Sequence, residues 1–126
     1  VALPQRHRLR GQATFERIYR QASRLSGTWL VLRRLEARSA LLPPADRRRN
    51  PSPWRCAVVV STKVSKRAVQ RNRLRRLLHH HLLACAPRTS TPQWLVISLK
   101  PGAAEAAEHQ LLEECTHLMR QAALLP

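Results

Sequence analysis

The chain has 126 residues, 44% of them hydrophobic and only 4% aromatic, and carries a formal net charge of +16. That length bounds it to one domain around one core, and no apolar run reaches the roughly 18 residues that a membrane-spanning helix needs. So large a charge repels itself, and the commonest reason to tolerate it is a polyanionic partner, which moves attention from enzyme classes to binding ones.

Residues 1–10 read as a basic N-terminal extension of the single domain 1–126, without the apolar stretch of a signal peptide. In "ATFERIYRQA", Ala13, Ile18 and Ala22, with Phe15 and Tyr19 at i, i+4, predict a helix over 12–23. "RLSGTW" breaks it at a turn containing Gly27. "TWLVLRRL" then predicts a strand over 28–36, with Trp29, Val31 and Arg33 on one face and Leu30, Leu32 and Arg34 on the other. Residues 43–54 form a Pro- and Arg-rich loop. The nearly continuous apolar run "RCAVVVSTK" predicts a strand over 55–63 buried on both faces, with Val59, Ser61 and Lys63 sharing one of them.

Residues 65–85 carry the strongest helical pattern, with Ser65 as N-cap and Pro87 as stop. At about 100° per residue, Leu74, Leu77, Leu78, His81 and Cys85 form the core face. Asn72, Arg76 and His79 lie on the far side, flanked by Arg73 and Arg75. "TPQWLVISLKPG" predicts a strand over 93–99 closed by Pro101-Gly102. Residues 103–124 form a last amphipathic helix with Leu111, Cys115, Leu118 and Ala122 inward and its acids outward. The order α β β α β α defines an α+β domain.

Charge is placed unevenly along this order. Residues 47–104 hold thirteen basic groups and no Asp or Glu, whereas residues 105–126 hold four acids and one base. Twenty of the 23 basic residues are arginines, whose planar fork suits phosphate oxygens and base edges. Between Lys63 and Arg76 seven of fourteen residues are basic, and Asn72 among them adds a hydrogen-bonding group for a phosphate, a 2′-OH or a base edge. The middle of the chain is therefore the predicted polyanion-binding part.

Catalytic chemistry finds little support. No Walker loop, GxSxG, HExxH or dinucleotide fingerprint occurs, and no acids are paired in a way that spacing reveals. Consecutive helical residues such as His79, His80 and His81 diverge too widely to share a metal ion, which places His81 in the core and the other two outside. Cys56, Cys85 and Cys115 are odd in number and far apart, as in a reduced, cytoplasmic chain that uses them as small apolar residues. Phe15 and Tyr19 either cover the sheet or offer a stacking platform to single-stranded nucleotides.

"VSTKVSKRAVQRNRLRRLL" resembles the signature of the bacterial ribonuclease P protein family: a strand ending in a Lys-containing turn, then Ala68 three residues before Arg71-Asn72-Arg73, an aliphatic Leu74 and the basic pair Arg75-Arg76. "FERIY" and "QWLVISLKPGA" are similar to that family's first helix and third strand. The resemblance implies a four-stranded sheet packed with helices and a left-handed βαβ crossover, like the second domain of ribosomal protein S5. It also implies a protein subunit that assists a catalytic RNA in removing the 5′ leader of precursor tRNA, with Mg²⁺ held mainly by the RNA, one protein per RNA, and no membrane.

Carried over residue by residue, the resemblance implies a leader-binding cleft of Phe15, Tyr19, Trp29, Val31, Arg33, Val59 and Ser61. It implies an RNA-binding set of Lys63, Lys66, Arg67, Arg71, Asn72, Arg73, Arg75, Arg76 and His79. Arg33 stands where the family often has an aromatic, so phosphate contact replaces stacking there as the expectation. His79-His80 replaces a common Arg-Glu pair, which makes the charge near Arg76 depend on pH. The alternative class is a ribosomal or other RNA-binding scaffold without processing activity; a self-contained ribonuclease is disfavoured by the lack of paired catalytic groups.

Overall fold

The structure, a computed structural model, describes residues 7–9, 11–36, 54–85 and 93–124. The predicted loop 43–54 lies outside them except for Trp54. Helix α1 (Gln12–Gln21) leads into a hairpin of β1 (Ser23–Ser26) and β2 (Leu30–Glu36), followed by β3 (Trp54–Val59), α2 (Ala68–Cys85), β4 (Gln93–Leu99), a 3₁₀ turn (Ala103–Glu105) and α3 (Glu108–Gln121). The sheet order is β1-β2-β4-β3. β1 with β2 and β2 with β4 run antiparallel, whereas β3 and β4 are parallel neighbours joined through α2. The domain is α+β with one four-stranded sheet.

The alternation of β2 sorts its side chains as expected. Leu30 and Leu32 join Cys56, Val58, Leu95 and Ile97 in a core closed by α2 and α3. The other face buries Trp94 and Val96 under Ile18 of α1 and Leu9. A fully buried leucine of this kind is worth about 2 kcal/mol in transfer free energy, so the first, larger cluster dominates the fold and the thinner α1 side leaves sheet surface uncovered.

Several elements differ from expectation. The fourth strand, β1, occupies the stretch assigned to a turn; Leu25 alone is its apolar anchor, and it leans on the main core while the serines and Arg24 stay exposed. β3 stops at Val59, because Ser61 to Val64 form a turn closed by the Val64 N–H on the Ser61 carbonyl at 3.0 Å. Ser61 and Lys63 therefore do not continue the face of Val59. Nor is β3 buried on both sides: Trp54, Cys56 and Val58 are buried, and Arg55, Ala57 and Val59 are half-buried, since α1 shields its side only in part.

Helix α2 begins at Ala68, with the Arg71 N–H on the Arg67 carbonyl at 3.0 Å. Ser65 is not its N-cap. Its hydroxyl accepts the Arg67 N–H at 3.2 Å and donates to Gln70 at 2.6 Å, bracing the turn before the helix. The inward stripe is Leu74, Leu78 and Leu82 at i, i+4, i+8, with Leu77, His81 and Cys85 half-buried beside it. The last helix is split. Gly102 adopts φ 95°, a left-handed conformation that glycine takes without a Cβ penalty, and the chain passes through the 3₁₀ turn before α3 begins.

α3 buries Leu111, Cys115 and Leu118, with Ala122 just beyond it. Its acids do not all face out. The Glu114 carboxylate accepts the N–H of Thr28 at 2.5 Å and those of Trp29 and Leu30 at 2.8 Å each. Lys100, the residue after β4, completes the clasp, donating its Nζ to Ser26 Oγ at 2.7 Å and to the Gly27 carbonyl at 2.6 Å. The hairpin tip is thus fastened by a carboxylate and an ammonium from distant parts of the chain.

The described part of the basic extension, residues 7–9, is docked. The His7 ring stacks on Trp54 with centroids 3.9 Å apart, and the Leu9 N–H donates to the Cys56 carbonyl at 3.2 Å. Arg8 bridges Cys56 in parallel, along the margin of β3 that β4 does not occupy.

Candidate nucleic-acid interface

The α1 side of the sheet brings part of the predicted cleft together. Phe15 and Tyr19 share a helix face and divide the two readings offered for them: Phe15 is half-buried on the Trp94–Val96 cluster, whereas Tyr19 is 50% exposed. The Arg33 guanidinium lies 4.7 Å over the Tyr19 ring, a cation–π contact, and its Nη1 donates to Ser98 Oγ at 3.4 Å. Val59 reaches the same cluster from β3. Val31 points to this side but is buried between its ladder partners Ser26 and Ser98, and offers a ligand no surface.

Trp29 is not in the cleft. It precedes β2, where the strand alternation does not apply, and packs against the main core on the opposite side. Ser61 is exposed in the turn beyond β3. Arg24 falls in the stretch that the sequence reads as a turn, and the structure places it in β1. In the hairpin Arg24 is the register partner of Arg33, so the two arginines stand side by side on the α1 side of the sheet.

The second group lies on and before α2. Lys63, Lys66 and Arg67 are exposed in and after the turn. Arg71 is half-buried and bends back to the Ser65 carbonyl at 3.0 Å, so it braces the same turn that carries the lysines. Asn72 and Arg76 are exposed, as the helical wheel predicts. Arg75 donates to Asn72 Oδ1 at 2.8 Å, which leaves the Asn72 NH₂ as the donor that residue offers outward. Arg73 pairs with Glu108 of α3 at 2.7 Å between exposed side chains, so the acid-poor segment borrows one carboxylate from the acidic end of the chain.

The histidine run has three separate environments. His80 is exposed, and His81 Nε2 lies 2.8 Å from Thr116 Oγ1 and 3.4 Å from Cys85 Sγ. His79 is half-buried instead of fully outside. Among the described residues no cluster of His, Cys, Asp or Glu could hold a metal ion. Burial pushes the Cys56 thiol well up and the Cys115 thiol up to about 12, which keeps both as inert neutral core groups.

Burial holds His79 below the ordinary imidazole value of 6.5, with Arg75 and Arg8 adding repulsion; burial and then His80 do the same to His81. The unfolded chain therefore binds protons that the folded chain refuses, so stability is complete above the ordinary value and drains as pH falls through it toward the depressed folded values. Thermal midpoints taken from about pH 7.5 down to about pH 5 are expected to fall, and to fall less in a chain with His79→Gln and His81→Gln. Equal slopes for the two proteins would place the acid sensitivity elsewhere.

Fold and surface together define a class: a small, strongly basic α+β domain whose sheet is half-open on one side and covered on the other by an arginine-rich helix. The sequence profile described as Ribonuclease P matches residues 3–123. Ribonuclease P protein components from Prochlorococcus marinus (strain MIT 9313) and Parasynechococcus marenigrum (strain WH8102) are 50% and 48% identical to it, covering 99% and 98% of both chains in each pair. The chain belongs to the ribonuclease P protein component family. Solved ribonuclease P proteins share its fold: that of Staphylococcus aureus superposes with a TM-score of 0.74 at 16% identity, over 95% of this chain and 98% of that one. That of Thermotoga maritima does so with 0.70 at 17%, over 90% and 96%.

Proposed function

We propose that this chain acts as the protein subunit of ribonuclease P by holding the single-stranded 5′ leader of precursor tRNA on the α1 side of its sheet and the catalytic RNA on the basic turn and helix α2. The RNA carries out the hydrolysis with Mg²⁺ that it mainly binds itself, and one protein serves one RNA in the cytoplasm. The observation that carries this reading is the Tyr19–Arg33 pair on uncovered sheet: an exposed aromatic and a guanidinium in contact, which suit bases and phosphates of an extended strand and serve no core. Lys63, Lys66, Arg67, Asn72 and Arg76 add an exposed basic surface that meets a large polyanion by counterion release.

The resulting mechanism is differential binding. A leader contact is available to precursor and denied to the mature product, so binding energy is spent on substrate alone. The test is cleavage of precursor tRNA by the catalytic RNA with and without this chain, together with the affinities of precursor and mature tRNA for the complex. The expected result is faster cleavage at low Mg²⁺ and a clear preference for precursor. A ratio of one would favour a scaffold, and cleavage by the protein alone would favour a self-contained nuclease.

A further inference from the structure

We infer that Arg24 and Arg33 form a two-guanidinium clamp for one phosphodiester of single-stranded RNA, so that the chain grips this point of the leader by its backbone charge and not by base identity. This rests on the proposed leader-binding role of the α1 side of the sheet.

The hairpin register sets Arg24 directly opposite Arg33. The next pair in the ladder, Leu25 and Leu32, turns to the main core, which puts both arginines on the other side. Directly opposed residues have Cβ atoms about 5 Å apart, and like charges so placed destabilise a hairpin unless an anion sits between them. Among the described residues neither arginine has a carboxylate partner. Yet Arg33 is fixed: Tyr19 backs its guanidinium and Ser98 holds Nη1. Arg24 is exposed at the edge strand and free to close on a ligand.

An anion with several oxygens in a compact array satisfies both forks at once, which is the chemistry of a phosphodiester. The same contact shapes what can stack. Arg33 covers one face of the Tyr19 ring, so no base can use that face. The leader and the catalytic RNA both supply phosphodiesters. The leader is favoured because α2, with exposed Arg73 and Arg76 and the exposed Lys63, Lys66 and Arg67 just before it, packs on the opposite side of the sheet and gives the catalytic RNA a separate basic surface.

The test uses the assembled holoenzyme and precursor tRNAs whose leaders carry a single neutral methylphosphonate linkage, moved one position at a time. Arg24→Gln is expected to weaken precursor binding about tenfold, the cost of losing one charge-assisted fork contact, and to leave mature tRNA binding unchanged. At one linkage, the methylphosphonate alone should cause a similar loss, and Arg24→Gln should then add nothing. Arg24→Lys should recover part of the loss, and exchanging leader bases should shift wild-type affinity by less than about twofold.

A loss from Arg24→Gln that persists undiminished at every neutral linkage would overturn the clamp. So would an equal loss for mature tRNA, which would assign the contact to the catalytic RNA. Failure of the leader reading itself is distinguishable, because wild-type protein would then bind precursor and mature tRNA alike. Circular dichroism of Arg24→Gln, an exposed edge-strand position, checks that the hairpin persists.

Discussion

Replacing both Arg67 and Arg76 with glutamine is expected to lower the affinity of the chain for the catalytic RNA about ten- to a hundredfold at low salt, with the deficit shrinking as Mg²⁺ or salt rises. The two positions are chosen from the surroundings of each arginine. Arg71 is tied to the Ser65 carbonyl, so removing it disturbs the turn as well as the charge. Arg73 is already shared with Glu108. Arg67 and Arg76 are exposed, and among the described residues their side chains have no acid partner, so their loss reads out as charge alone. Each phosphate contact removed should flatten the plot of log affinity against log salt by about 0.7 to 0.9. An unchanged slope would show that these arginines do not touch phosphate. Processing of precursor tRNA should follow the same course, failing at low Mg²⁺ and recovering at high.

The largest stability effect is expected at Glu114. Its carboxylate serves three consecutive backbone N–H groups at and just before the start of β2. Hydrogen bonds to charged groups are worth about 1.5 to 3 kcal/mol each, and partial exposure here lowers that, so Glu114→Ala should cost about 3 kcal/mol in total. For a domain of this size the melting temperature would drop by roughly 10 °C. Glu114→Gln keeps one acceptor oxygen and should lose less. Gly27→Ala provides an independent approach to the same contact, because a Cβ there would meet Glu114 Cδ at 2.5 Å and push the carboxylate away. If thermal unfolding showed Gly27→Ala and Glu114→Ala to be additive when combined, the two would not share one interaction.

How much of this was legible beforehand depended on whether the information was local. β4 was predicted over its observed range, 93–99, because its pattern is strong on its own. The stripe of α3 and the two faces of β2 were legible for the same reason. β1 was not, since a four-residue strand with one apolar side chain looks like a turn until β2 lies beside it. Ser61 and Lys63 were misplaced by extending the alternation of β3 past its end, and Trp29 by extending that of β2 before its start. Glu114 resembles any acid on the outer side of a helix, and its task is set by residues more than eighty positions away. The pairing of Arg24 with Arg33 likewise required the hairpin register, which no wheel or period can supply.

The sheet has two outer margins, and an unpaired margin is a template on which another chain can add a strand and begin aggregation. β1 guards one by being four residues long and carrying Arg24. β3 is longer, with Trp54, Cys56 and Val58 along it. There the His7–Leu9 segment covers the margin, through the ring stack on Trp54 and the Leu9 hydrogen bond to Cys56. Those residues therefore take a strand template on β3 out of reach of another copy of the chain, a protection that charge repulsion does not itself provide.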